Sequence, residues 1–178
     1  MGLQQQTCGH GHEDGLKQTK FPETYKYSDK IVLMKNITEA NILPQMRVFI
    51  RIDMDVPFDK NGITDTSRLD HSLDTLRFII NKKAVPVIAG HIGRPRGEYV
   101  ETLSTKKILS YLNENLGEDK FELLENLRFN SGEKNNDDEF AKELANKADI
   151  YVNESFATSH RKHASIIGVP KYLPAYAG

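Results

Sequence analysis

The sequence predicts an α/β fold: a parallel sheet covered by helices on both faces, preceded by an extended N-terminal arm. Three observations predict it. Short, largely apolar runs recur at Val48-Phe-Ile50, Val85-Pro-Val-Ile-Ala89, Phe121-Glu-Leu-Leu124 and Ile150-Tyr-Val-Asn153, the signature of strands buried on both faces. Amphipathic stretches at helical spacing alternate with them. A His or Arg, or an Asp pair, follows nearly every run, and ligands of parallel α/β sheets bind outside the carboxyl ends of the strands.

Met1 to Lys30 is polar, begins with Gln4-Gln-Gln6 and shows no sustained period, so it reads as an arm. Ile31-Val-Leu33 reads as a short strand or an anchor. Asn36 to Gln45 is a lead-in closed by Pro44, which sets the expected division at an arm over 1–45 and a folded domain over 46–178. Ser67 to Asn81 carries Leu69, Leu73, Leu76, Phe78, Ile79 and Ile80 near helical spacing, with Thr66 or Ser67 as N-cap. Ser104 to Leu116 repeats this with Ile108, Leu109, Leu112 and Leu116, and Gly117 stops it. Asp137 to Lys147 places Phe140, Ala141, Leu144 and Ala145 behind an acidic first turn. No internal repeat is visible.

A chain of 178 residues suits one α/β domain with a sizeable core. Lys plus Arg (24) nearly balances Asp plus Glu (25), so no overall field draws the protein to nucleic acid or to an anionic membrane. The cationic residues at the strand ends are therefore a local cluster, suited to a small, multiply anionic molecule. The single cysteine, Cys8, excludes an internal disulfide framework and fits a reducing compartment, the cytoplasm. No apolar run approaches the length of a membrane span.

Each motif has more than one chemistry open to it. Asp53 and Asp55 lie on one side of an extended segment ahead of Pro57. They suit a metal, a substrate hydroxyl, or the capping of neighbouring backbone amides. His91 and Arg94 bracket Gly93 in a turn ended by Pro95, which aims both side chains the same way or leaves them on a surface loop. Arg128 follows a strand and either meets an anion or pairs with Glu122 or Glu125. His160-Arg161-Lys162-His163 is a binding run or a solvated turn. Their shared placement at strand ends favours the binding reading for the set, because a half-buried cation needs an anionic partner.

The segments Val48 to Pro57, Ile63-Thr-Asp-Thr-Ser-Arg68, His91-Ile-Gly-Arg-Pro95, Leu124-Glu-Asn-Leu-Arg-Phe129 and Val152 to Ser165 resemble phosphoglycerate kinase, in that family's order. The resemblance covers the N-terminal half of the enzyme, from about Met46 to Gly178. It implies a Rossmann-like domain that holds 3-phosphoglycerate, or 1,3-bisphosphoglycerate in the other direction. On matching positions it implies that Asp53 binds near the glycerate hydroxyl. Arg68, His91, Arg94, Arg128 and Arg161 would hold the carboxylate and phosphate, with Asp55 beside them. Arg68 matches the arginine that stabilises the transferring phosphoryl group, a role that fits chemistry catalysed by positioning and by cations aimed at equatorial oxygens.

The departures from the family pattern shape the functional expectation. The sequence reaches Leu173-Pro-Ala-Tyr-Ala-Gly178 where a hinge would begin, and contains no Gly-x-x-x-x-Gly-Lys or Gly-x-Gly-x-x-Gly segment. No cofactor is therefore expected on this chain; ATP and magnesium enter only through a separate nucleotide-binding half. Asp55 stands where the family has Asn, and adds a negative charge beside an anionic substrate. Gly90 replaces a frequent Ser, Ala157 a Gly and Glu154 an Asp. Leu116 to Leu124 is short, as if one βα unit were lost, leaving a sheet edge for a protein partner to cover.

In the arm, Cys8, His10 and His12 alternate as metal donors but fall short of a closed zinc site. Phe21-Pro-Glu-Thr-Tyr-Lys-Tyr27 is suited to lying along another protein. A Gly/His opening followed by such a strip weakly resembles the tails of small accessory subunits of respiratory complex I. The expectation is a non-catalytic, phosphoglycerate-kinase-like accessory subunit of a larger complex that retains anion binding. It would be cytoplasmic or, alternatively, mitochondrial as a peripheral subunit of a membrane complex. The alternative function is a half-enzyme that transfers phosphate between ATP and 3-phosphoglycerate with a separate nucleotide-binding chain.

Overall fold

The computed structural model describes residues 25–27, 30–32 and 35–178. Cys8, His10 and His12 lie outside them. The chain divides into two units, Met1–Leu33 and Met34–Gly178. In the first, β1 (Tyr25–Tyr27) pairs antiparallel with β2 (Lys30–Val32), so the strand reading of Ile31 and Val32 holds.

The second unit is built on a six-stranded sheet whose pairings are all parallel. In chain order its strands are β3 (Lys35–Asn36), β4 (Arg47–Arg51), β7 (Val85–Ala89), β8 (Glu122–Leu123), β9 (Ile150–Asn153) and β10 (Ala175–Ala177). Across the sheet they run β3-β10-β9-β4-β7-β8. A two-stranded hairpin, β5 (Phe58–Asp59) with β6 (Gly62–Ile63), stands apart. The compact unit begins earlier than residue 46, because Lys35 and Asn36 pair with Tyr176 and Ala177, and Ile37 and Ile42 enter the core. A pairing across some 140 positions is set by tertiary packing.

Strand side chains alternate between two apolar layers, as a parallel sheet covered on both faces requires. Val48, Ile50, Ile88, Ile150 and Val152 face one layer, with Leu69, Leu76 and Ile79 of α1 (Ser67–Asn81) and Leu112 of α2 (Leu109–Leu116). Phe49, Val87, Ala89 and Tyr151 face the other, with Phe140, Ala141, Leu144 and Ala145 of α4 (Asp138–Ala145). Between β8 and α4 lies α3 (Ser131–Asn135). The helix expected over 67–81 is found, although the Thr66 side chain makes no cap bond; its hydroxyl donates to Asp70, and Asp65 accepts from the Ser67 amide. The stretch from Thr105 opens as a 3₁₀ turn before α2, and Gly117 at φ 91° ends it, a conformation that suits glycine.

At the sheet margin, the outer side of β8 pairs with no described strand. A groove of about 430 Å³ lined by Leu109, Phe121 and Leu123 lies beside it. No helix among the described residues is long and apolar enough to cross a membrane.

Candidate anion-binding site

Four strands, β4, β7, β8 and β9, deliver the site beyond their carboxyl ends. After β4 the chain runs through Asp53 and Asp55. Asp53 Oδ1 accepts from the Asp55 amide at 3.1 Å, while Oδ2 takes Arg68 Nη1 at 2.9 Å, so the carboxylate caps backbone and pairs with a guanidinium at once. Arg68, in the first turn of α1, is half exposed and Asp53 largely buried. Asp55 Oδ1 accepts the Gly93 amide at 2.8 Å, which ties the loop after β4 to the loop after β7. Among the described residues, no cluster of three or more His, Cys, Asp or Glu side chains is disposed to hold a metal.

Arg51, the last residue of β4, is fully buried. Its Nη2 donates to His91 Nδ1 at 2.8 Å, its Nε to Ser165 Oγ at 3.1 Å, and its Nη1 to the Ile52 carbonyl. A guanidinium only donates, so His91 Nδ1 must accept and the neutral ring carries its proton on Nε2. Burial, followed by the charges of Arg51, Arg128, Arg161 and His163, pushes the His91 pKa down to about 2. His91 is therefore an uncharged donor at neutral pH.

Behind Arg51, Ser165 Oγ donates to Glu133 Oε1 at 2.6 Å and the Ser165 amide to Oε2 at 3.0 Å. His163 Nδ1 lies 3.5 Å from Glu133 Oε1, an electrostatic contact rather than a formed hydrogen bond. Burial alone would raise the Glu133 carboxyl, but His163, the Arg51 charge and the Ser165 donors outweigh it and hold it below its ordinary value.

Arg128 is placed by its own loop. Asn126 Oδ1 accepts the Arg128 amide at 3.1 Å, while its Nδ2 donates to the carbonyls of Ile92 and Leu103, both at 2.8 Å. Arg128 Nη1 donates to the Gly93 carbonyl at 2.8 Å, and its buried Nε has no partner among the described residues. Burial, then the charges of Arg161 and Arg51, lower the Arg128 pKa against the opposing influence of Asp55 and Glu133. Arg161 follows a turn held by Ser155 and Thr158, and its amide donates to the Thr158 carbonyl at 2.9 Å. Glu154 accepts from the Thr75 hydroxyl, and burial raises its carboxyl pKa.

Of the residues singled out in the sequence, His91, Arg128 and Arg161 come within electrostatic reach of one another. Asp53 and Arg68 form an adjoining ion pair, and Asp55 lies where Arg128 feels its charge. Arg94 is exposed and makes no hydrogen bond or ion pair with the described residues. Sequence reasoning passed over Arg51, Glu133 and Ser165. A signal existed for Arg51, a lone cation abutting the apolar run Val48 to Ile50; Glu133 sits in a polar stretch that reads as surface.

The phosphoglycerate kinase family model matches residues 37–122 and 115–178. The two matches meet at the short stretch before β8. A phosphoglycerate kinase of Picosynechococcus sp. is 40% identical over 161 residues, covering 78% of this chain and 40% of that protein. One from Finegoldia magna is 36% identical over 168 residues, covering 81% and 42%. The chain thus spans about two fifths of the curated relatives it matches. Among solved structures, phosphoglycerate kinase from Coxiella burnetii superposes with a TM-score of 0.75 at 32% identity, over 81% of this chain and 41% of that one. The Pyrococcus horikoshii enzyme gives 0.70 at 26%, over 82% and 42%.

Proposed function

This chain belongs to the phosphoglycerate kinase family, and from that premise we propose that it holds 3-phosphoglycerate, or 1,3-bisphosphoglycerate, at the carboxyl ends of β4, β7, β8 and β9. The observation that carries the proposal is the convergence of Arg51, His91, Arg128 and Arg161, each close enough to feel the charge of others in the set. Glu133 answers the buried Arg51 and His91 is neutral, so Arg128 and Arg161 are the like charges here, unfavourable this close together unless an anion joins them. Arg128 Nε is buried and has no hydrogen-bond partner among the described residues.

Our reading is of a binding subunit without turnover of its own, held in a larger assembly through the outer edge of β8 and the N-terminal arm. Support comes from Asp55, whose carboxylate competes with a substrate anion for Arg128, and from the β8 edge, which pairs with no described strand. Phosphoryl transfer would need ATP and magnesium brought by a nucleotide-binding half. A second reading, a half-enzyme completed by such a half, draws on the Arg68–Asp53 pair beside the cradle formed by Arg51, His91, Arg128 and Arg161. Closure of two loaded halves is what would then exclude water.

Titration calorimetry with 3-phosphoglycerate tests the shared claim: binding that weakens with added salt supports it, and no binding at low salt refutes it. An ATP-dependent turnover assay separates the two readings. The subunit reading expects none alone or on mixing with a nucleotide-binding half; the half-enzyme reading expects activity only on mixing.

A further inference from the structure

Four polar residues run from the interior of the fold to the cradle. Glu133, fully buried in α3, accepts from the Ser165 hydroxyl; Ser165 Oγ accepts from Arg51 Nε; Arg51 Nη2 donates to His91 Nδ1. Each link has donor and acceptor correctly matched, and the lengths of 2.6, 3.1 and 2.8 Å are those of formed hydrogen bonds. The chain begins on a carboxylate with no exposed surface and ends on a ring whose second nitrogen, Nε2, is bonded to no described residue.

The direction of the chain has a chemical consequence. An arginine cannot accept, so its hold on Nδ1 forces the neutral imidazole into the Nε2–H form. Arg51 can hold that pose only while its own charge is tolerated at full burial. Glu133 supplies the countercharge, and Ser165 supplies the fixed acceptor that sets the guanidinium plane. Arg51 therefore spends its three described hydrogen bonds on Ile52, Ser165 and His91, all within the protein. It shapes the cradle through His91 instead of reaching for the ligand. A neutral N–H donor also adds directed hydrogen bonding to a site that Arg128 and Arg161 already make cationic, without further like-charge repulsion.

We propose that Glu133 and Ser165 are positioning residues, which act through Arg51 to fix His91 as an uncharged Nε2–H donor to the bound anion. The ligand part rests on the function proposed above; the tautomer part does not.

The test is long-range ¹⁵N NMR of histidine-labelled full chain between pH 5 and 8, followed by calorimetry with 3-phosphoglycerate. In the unmodified chain His91 should show a single Nε2–H pattern at every pH. Ser165→Ala removes the bridging oxygen and Glu133→Gln removes the countercharge. Both should give a mixed tautomer pattern and weaken 3-phosphoglycerate binding by about tenfold, the worth of a hydrogen bond to a charged group. A purely structural role would lower the melting temperature and leave the His91 pattern unchanged, and that result overturns the proposal. So does an Nδ1–H pattern in the unmodified chain. Should Glu133→Gln fail to fold, Ser165→Ala decides alone. Absence of 3-phosphoglycerate binding in the unmodified chain would defeat the proposed function, while the tautomer pattern would still decide the relay.

Discussion

Met54 occupies the space that a side chain at residue 90 would need. A Cβ built on Gly90 falls 2.6 Å from both Cγ and Sδ of Met54, and 3.0 Å from the Ile52 carbonyl oxygen. Met54 is fully buried, so it has little room to withdraw. The contact lies between the loop after β4 and the residue immediately before His91, and so joins two of the segments that form the cradle.

Gly90→Ser should therefore destabilise the domain by about 1–3 kcal/mol, the usual cost of overpacking a filled core. Denaturant titration measures it directly. Combination with Met54→Ala should cost less than the two single changes summed, because each relieves the other. Additive losses would mean that the two residues do not compete for one volume.

His91 makes stability depend on pH. Its folded pKa is depressed from 6.5 to about 2, so below pH 6.5 the unfolded chain binds a proton that the folded one refuses. The contribution is complete above pH 6.5 and is lost as the pH falls. Between pH 7 and 5 the loss is about 2 kcal/mol at most. His91→Asn should flatten that part of the unfolding free energy against pH; identical slopes in the two proteins would contradict it.

Asp55→Asn keeps an oxygen for the Gly93 amide and removes a charge that Arg128 feels. Affinity for 3-phosphoglycerate should rise by about two- to fivefold at low ionic strength, with the gain shrinking as salt is added. Calorimetry at two salt concentrations reads both effects. Unchanged affinity would show that Asp55 does not compete with the ligand.

Arg68 is half exposed, and its pair with Asp53 should add little to stability, under about 1 kcal/mol. Arg68→Ala should melt near the unmodified chain. If a nucleotide-binding half restores turnover, this change should cost about 10²–10³ in kcat, as removal of a charge-stabilising donor does. A large fall in melting temperature would instead make Arg68 structural.

Much of the fold was legible in the sequence because local periodicity reports local burial. The runs at Val48 and Val85 became β4 and β7, and the leucine spacing after Ser67 became α1. The phosphoglycerate-kinase-like motifs contain His91, Arg128 and Arg161, which lie within electrostatic reach of one another. Two features escaped for the same reason. The lead-in before Met46 joins the sheet, because Lys35 and Asn36 find partners at Tyr176 and Ala177. Arg94 stands exposed although its spacing from His91 suggested a shared aim.

By itself, then, the sequence determined the alternation of strands and helices and the supply of cations at strand ends, since both follow from residues near one another in the chain. Only the tertiary structure decided that Glu133, Ser165, Arg51 and His91 form one line of hydrogen bonds. Their partners are separated by 32, 114 and 40 positions, and no periodicity in a sequence records which distant polar groups will be buried face to face.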